Sequence, residues 1–253
     1  MNQPLFEQFR GIILAAGRGS RLGDLTAGKP KGMTEFNSRP LLNWQIDAMR
    51  GADIDDIWLI TGYCAESIKA LGLPTLHNPE WAASNMVASL LCAEELIDRP
   101  TIVSYSDIIY SATLVRQLMS STHELTIAYD AEWLSLWQSR FSEPLLDAES
   151  FHINDQGQVL DIGRKVSTLS EIQGQYMGLI KLTPTALQWI KEIISAEPEL
   201  RTRLDMTQLL SRLIENGKPV HGLRTEANWC EIDSPEDLIL AHELLRTGQL
   251  NIP

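Results

Sequence analysis

With 253 residues, 44% of them hydrophobic and 21% charged, the chain has the make-up of a soluble globular protein and the length for one large α/β domain or two small ones. Its net charge of −12 argues against a nucleic-acid binder, which normally carries a basic face. An anionic small substrate stays open, because local arginines override a global field. Cys64, Cys92 and Cys230 are odd in number and widely spaced, so neither a zinc site nor a disulfide framework is indicated, and a reducing, cytoplasmic setting fits.

Residues 1–10 carry acid and amide side chains and no long apolar core, so no signal peptide is expected there. No apolar stretch reaches the roughly 18 residues that a membrane span needs. Residues 12–16 read as a strand buried on both faces. It runs into Gly17-Arg18-Gly19-Ser20-Arg21-Leu22, where small residues and glycines let backbone amides approach an anion. Arg18 and Arg21 add permanent positive charge, and Gly28-Lys29-Pro30-Lys31 adds two more cations. This is a place to hold a polyphosphate. It is not the dinucleotide fingerprint, because Leu22 stands where the third glycine belongs. Nor is it a P-loop: Gly23 to Lys29 has the spacing, but Pro30 replaces the metal-binding Ser or Thr and offers no amide.

Beyond the loop, Leu41, Leu42, Ile46 and Met49 recur at helical spacing after Pro40, which suits the first turn. A strand is expected over 57–61, a helix over 84–97 and a strand over 101–105 that stops at Ser106-Asp107. A helix around Leu114, Val115 and Leu118 and a strand over 125–129 complete the alternation, which implies βαβ units and a parallel sheet. After Asp130 the pattern loosens. It suggests a hairpin-like pair (151–153 and 159–162), a strand over 176–182, helices over 184–194 and 206–214, a short strand over 220–223 and a closing helix over 235–245. One domain over 1–253 is expected, with a nucleotide-binding half (11–130) and an acceptor-binding half (131–253).

Ligands of open α/β sheets bind beyond the carboxyl ends of the strands. Those ends hold Gly17 and its loop, Gly62, Asp107 and Asp130. Asp107 is the sharpest candidate, because Mg²⁺ on a triphosphate takes one or two carboxylates and otherwise phosphate and water oxygens. Asp233, just before Ser234-Pro235, is a second carboxylate; a helix-capping acid is its other reading.

The glycine-arginine loop resembles that of the sugar-phosphate and phosphocholine nucleotidyltransferases, L-A-A-G-x-G-[ST]-R-L followed by P-K. The matching residues are Leu14, Ala15, Ala16, Gly17, Gly19, Ser20, Arg21, Leu22, Pro30 and Lys31. The resemblance implies a nucleotidyltransferase fold, with a mixed, mostly parallel sheet flanked by helices and a Rossmann-like first half. It assigns Mg²⁺ to Asp107 and to Asp233 of the E-[IV]-[DN]-[ST]-x-x-D motif, with Glu231 second. It makes Arg21, Lys31 and Lys165 the cations at the reacting phosphates. Lys165 lacks the usual E-K-P flanks and also fits a solvated surface lysine.

The segment Asn78-Pro79-Glu80-Trp81…Ser84-Asn85…Ser89-Leu90 is similar to a stretch of the phosphocholine and aminoethylphosphonate cytidylyltransferases. It implies CTP as nucleotide, with Asn85 and Ser89 four apart on one helix face; capping of that helix by Ser84 or Asn85 is the alternative. For the acceptor, Trp133, Trp137 and Trp229 with nearby acids such as Glu149 suit a substituted ammonium, with Trp133 and Trp229 foremost, and Arg140 a phosphoryl or carboxylate group. Core packing is the other reading of each tryptophan. The expected reaction joins CMP from CTP to a small phosphorylated or phosphonate acceptor and releases pyrophosphate. A sugar-1-phosphate transferase using UTP, dTTP or GTP, and a non-catalytic nucleotide-sensing module, are the rivals. No nucleic-acid or membrane partner is expected, and a homo-oligomer stays open.

Overall fold

Strand β1 (Arg10–Ala15) is buried along its whole length and splits its side chains between two faces. Ile12 and Leu14 join one apolar cluster; Ile13 and Ala15 join the other. The computed structural model describes residues 9–225 and 228–250, so the expectation for residues 1–10 falls, but for Phe9 and Arg10, outside the described residues.

From β1 the chain passes two short 3₁₀ turns (Ser20–Thr26 and Lys31–Met33) and the two-residue pair β2 (Glu35–Phe36) and β3 (Arg39–Pro40). There follow α1 (Leu41–Gly51), β4 (Ile57–Thr61), α2 (Ala65–Lys69), β5 (Thr75–His77), α3 (Met86–Leu91), β6 (Thr101–Tyr105), β7 (Ile108–Ile109), α4 (Ala112–Met119) and β8 (Leu125–Asp130). The second half adds α5 (Trp133–Arg140), the hairpin β9 (Glu149–Ile153) and β10 (Val159–Lys165), and β11 (Gln175–Leu182). It continues with α6 (Pro184–Ala196), α7 (Leu200–Arg203), α8 (Met206–Glu215), β12 (His221–Thr225), β13 (Cys230–Glu231) and α9 (Pro235–Arg246).

Seven strands form the main sheet in the order β12-β8-β11-β6-β1-β4-β5. Only β11 runs against its neighbours, pairing antiparallel with β6 and β8 while the other pairs are parallel. The sheet is mixed and mostly parallel, with apolar clusters on both faces, as the alternation of the first half and the resemblance imply. A third, smaller cluster joins Leu22 and Phe36 to Ile232 and Ala241, so the loop after β1 packs on the start of the closing helix. Among the described residues, no helix is long and apolar enough to cross a membrane.

Several elements differ from expectation; α2, β5 and α7 were not anticipated at all. The helix expected over 84–97 is α3 alone, followed by a separate 3₁₀ turn at Glu94–Leu96. Asn85 is extended and starts the helix one residue later, and Glu94-Glu95 place negative charge where a helix end disfavours it. Pro40 precedes α1 as its cap instead of entering the first turn. Helix α5 was not anticipated: Trp133 and Trp137, four apart, form its buried face, stacked edge-on at 5.9 Å and 77°.

Candidate active site

The loop after β1 is held in shape by its own backbone. Leu22 N donates to Gly19 O at 3.1 Å, and the Thr26 hydroxyl donates to Gly19 O at 2.9 Å. Gly19 is left-handed (φ 73°), and a Cβ there would stand 2.7 Å from the Lys31 Cβ. Only glycine lets the loop lie this close to the lysine stem. The result is a recess of about 260 Å³ at the carboxyl end of the sheet, with Lys31 on its floor.

Two carboxylates, 126 positions apart in the chain, meet at that floor. Asp107 follows β6; Asp233 follows β13, which pairs antiparallel with β7, and Ile232 N donates to Asp107 O at 2.8 Å. The cap of α9 is Ser234, in a capping box with Asp237, so the capping role falls to Ser234 and the Asp233 carboxylate is free for the recess. Both carboxylates are buried, and the Lys31 ammonium bridges them, at 2.5 Å from Asp107 Oδ2 and in a short ion pair with Asp233 Oδ1. Arg21 pairs with Asp233 Oδ2. Burial alone would lower the pKa of Lys31; Asp107, Asp233 and Glu231 outweigh it and raise it, so the group stays charged. Asp107 Oδ1 is buried without a hydrogen-bond partner. An orphaned oxygen beside a second buried carboxylate fits a hard divalent cation that brings phosphate oxygens with it. Among the described residues no group of three or more His, Cys, Asp or Glu could cage a metal unaided.

Arg140 braces this corner. Its buried guanidinium donates from Nε to Asp237 Oδ1 at 2.8 Å and from Nη1 to Glu231 Oε2 at 2.7 Å. Asp237 Oδ2 in turn accepts from the backbone N–H of Asp233 and Ser234, at 3.0 and 2.9 Å. Burial would raise the Asp237 carboxyl, but Arg140 holds it below the usual range. Glu231 is raised, by burial first and then by the charges of Asp107 and Asp233, which Arg140 and Lys31 offset only in part.

On the far side of the recess, the buried Asn78 amide donates to Ser84 Oγ and Ser89 Oγ, both at 3.1 Å. Asn85 caps α3 by accepting from Met86 N and also lines the recess. Trp81 closes this end, packed on Tyr63 at 5.3 Å.

A second recess, of about 220 Å³, adjoins the first at Tyr105, which lines both. Its walls include Trp137, Trp229, Tyr176 and the carboxylates Asp147, Glu149 and Glu231. Among the described residues lining it there is no lysine or arginine. Trp137 Nε1 donates to Asp147 Oδ2 at 3.1 Å, and Trp229 Nε1 to Asp130 Oδ2 at 2.9 Å. Burial pushes the Glu149 carboxyl up; Thr207 opposes this by hydrogen bonding, and Asp205 and Asp147 add to it. Gly178 is left-handed (φ 84°), and a Cβ there would meet the Tyr105 ring at 2.6 Å, so glycine makes room for the wall between the recesses.

Of the residues singled out in the sequence, Leu14, Ala16, Gly17, Gly19, Ser20, Arg21, Lys31, Asn85, Ser89, Asp107 and Asp233 come together around the first recess. Glu149 and Trp229 line the second. Others stand elsewhere. Ala15 faces the opposite side of the sheet by strand alternation. Arg18 turns outward over the Tyr63 ring, at 5.6 Å. Gly62 is buried behind Trp81, whose Cβ leaves no room for a side chain. Lys165 is exposed at the end of β10, opposite Glu149 in the register and on the wall of neither recess.

Two assignments need correction. Trp133 is a core residue, because the helical spacing of α5 turns it into the apolar cluster. Arg140 does not face a ligand: its guanidinium is buried and spent on Glu231 and Asp237. The sequence reading gave no lining or bracing role to Asn78, Tyr105 or Tyr176. For Tyr105 a signal existed, since it ends the strand that delivers Asp107.

The profile of the MobA-like NTP transferase domain matches residues 11–158, the span that contains the loop, Lys31 and Asp107. The chain belongs to this family. It is a nucleotidyltransferase. It is 33% identical over 248 residues to the CTP:phosphoglutamine cytidylyltransferase of Campylobacter jejuni, covering 90% of this chain and 96% of the relative. It is 23% identical over 247 residues to the UTP–glucose-1-phosphate uridylyltransferase AglF of Haloferax volcanii, covering 94% and 96%. The fold superimposes on the CTP:phosphocholine cytidylyltransferase LicC of Streptococcus pneumoniae with a TM-score of 0.74, at 23% identity over 94% of this chain and 99% of that one.

Proposed function

We propose that this nucleotidyltransferase uses CTP and transfers CMP to a small acceptor that carries a phosphoryl or phosphonyl group at one end and a positive charge at the other. The observation that carries this reading is the pairing of two unlike recesses at Tyr105. One is floored by cations and metal-type carboxylates; the other is walled by tryptophans and carboxylates, with no cation among its described lining residues. The relative at 33% identity, named for CTP and phosphoglutamine, supports the nucleotide choice. Trp137 and Trp229 keep the acceptor role and Trp133 does not, because an ammonium held by π faces and carboxylates needs rings on the wall.

In this reading the triphosphate lies on the loop of Gly17, Gly19 and Ser20, and the cytosine lies toward Asn85 and Ser89. Asp107 and Asp233 would hold Mg²⁺, which when bound supplies charge neutralisation at the triphosphate. Lys31 and Arg21 turn from the carboxylates to phosphate oxygens. An acceptor oxygen forms a bond to the α-phosphorus, and the bond to the β-phosphate oxygen breaks with its electron pair, so pyrophosphate leaves. No general base is required, because the attacking oxygen is already ionised at neutral pH. The protein's task is to align two anions and cancel their repulsion.

The test is a pyrophosphate-release screen of CTP, UTP, GTP and dTTP against phosphocholine, 2-aminoethylphosphonate, phosphorylated amino-acid amides and sugar 1-phosphates. Turnover of CTP with a phospho-amine, phosphonate or phospho-amide is expected. Preferred turnover of UTP with glucose 1-phosphate would overturn the acceptor class and the nucleotide choice together.

A further inference from the structure

The floor of the first recess already holds a cation. Lys31 Nζ sits between Asp107 Oδ2 and Asp233 Oδ1, and the Arg21 guanidinium covers Asp233 Oδ2. Three of the four carboxylate oxygens are therefore engaged by positive groups, and the fourth, Asp107 Oδ1, is buried with no partner. We infer that Lys31 is the resident counter-ion of the two carboxylates and keeps a divalent cation out until a nucleotide triphosphate draws Lys31 and Arg21 away. This inference rests on the reading of the first recess as the triphosphate site.

The argument is one of charge and space. Two carboxylates facing two cations are neutral as a group, so the free site exerts little pull on a further cation. An ammonium fixed at the midpoint also repels a divalent ion approaching the same oxygens, and burial strengthens that repulsion. The triphosphate reverses the balance. It offers Lys31 and Arg21 several anionic oxygens, and their departure uncovers three carboxylate oxygens beside the orphaned one. Arg21 is suited to such an exchange, because its side chain is largely exposed while its partner Asp233 is buried. Lys31 is tethered more tightly: Gly19 rests against its stem, and its backbone N–H donates to Gly17 O at 3.5 Å. It has to pivot from its stem, within the loop that lines the same recess as the phosphates would. Nucleotide and cation then reinforce each other, and linkage demands the same factor in both directions.

The test is direct binding of Mn²⁺ to nucleotide-free protein, followed by the electron paramagnetic resonance of the free ion. Wild type should bind weakly. Lys31→Met, which keeps the stem and removes the charge, should bind at least about tenfold tighter, within the usual range of site couplings. Lys31→Gln serves as a second variant of different polarity should the methionine form fold poorly. Adding Asp107→Asn to either variant should abolish the gain, which ties it to this site. Equal Mn²⁺ affinity in wild type and both lysine variants would overturn the inference, as would a gain that survives Asp107→Asn. Calorimetry of CTP binding in chelator is run beside it. Wild type that binds no CTP would sink the triphosphate reading, while the Mn²⁺ comparison still reports on Lys31 as counter-ion.

Discussion

The two recesses share a wall at Tyr105 but are built by opposite means. The first is lined by three short stretches of chain, 14–31, 81–89 and 105–107, together with Asp233, and its opposite charges are already in contact. The second draws side chains from α5, β9, β11, α8 and β13, and of its three carboxylates only Glu231 is matched by a cation in the ion pairs described here. A polyanion entering the first exchanges partners with groups already poised. A positively charged guest in the second would supply what the wall lacks. In the proposed reading, nucleotide binding rests on charges that are already paired, and acceptor choice rests on distant side chains that can change one at a time.

The strongest way to break this contrast is to remove a carboxylate from the shared floor. Asp107→Asn and Asp233→Asn should each lower kcat/KM by on the order of 10³-fold, because metal charge stabilisation is worth several kcal/mol. Steady-state pyrophosphate release measures it, and near-normal turnover in either variant would remove that carboxylate from the metal site. Arg140→Met comes next. It leaves Glu231 and Asp237 unpaired in a buried corner, so urea unfolding should show a loss of about 3–5 kcal/mol. A loss below about 1 kcal/mol would make Arg140 an ordinary surface-type pair.

The comparison sharpens at the tryptophans. Trp229→Leu should raise the acceptor KM with an effect of about 1–2 kcal/mol while the CTP KM holds, since the π face is lost from the second recess only. Trp133→Leu should lower stability with no such split, because that ring is buried and lines neither recess. A KM split in Trp133→Leu, or equal damage to both substrates in Trp229→Leu, would reverse the assignment.

The smallest effect lies away from both recesses. His123 and His221 stack at 3.4 Å and 4°, and burial first, then His123, lower the His221 pKa below its ordinary 6.5. The unfolded chain takes up this proton more readily than the folded one. The contribution is therefore complete above pH 6.5 and declines as pH falls from there through the lowered value. His221→Phe should flatten that part of the pH–stability curve, read by chemical denaturation, without altering kinetics at neutral pH. An unchanged slope would mean that His221 does not carry that part of the curve.

This contrast in construction also explains what the sequence disclosed. Gly17 to Lys31 is legible because a buried strand, a glycine turn and cations follow one another in the chain. Asp107 is legible because it stands two residues beyond the end of a buried strand. Trp133 misled because its four-residue spacing from Trp137 suits both a ligand wall and a helix face, and only the folded helix brings Trp137 to the second recess and leaves Trp133 off it. Arg140 misled because its partners lie 91 and 97 positions away. Asn78 escaped because its task is to orient two serine hydroxyls, which only a folded chain brings to it.

Lys31 and Asp233 are 202 positions apart, joined across the recess floor through the short β7–β13 pairing. On a ribosome adding about 5–20 residues per second, the loop emerges roughly 10–40 seconds before its second carboxylate exists. A growing chain can thus shape its anion loop early but cannot complete the reaction centre until β13 is made and closes against β7. In the proposed reading, catalytic competence becomes a late checkpoint of synthesis: a chain cut short before residue 233 keeps the loop and Asp107 and is expected to be inert.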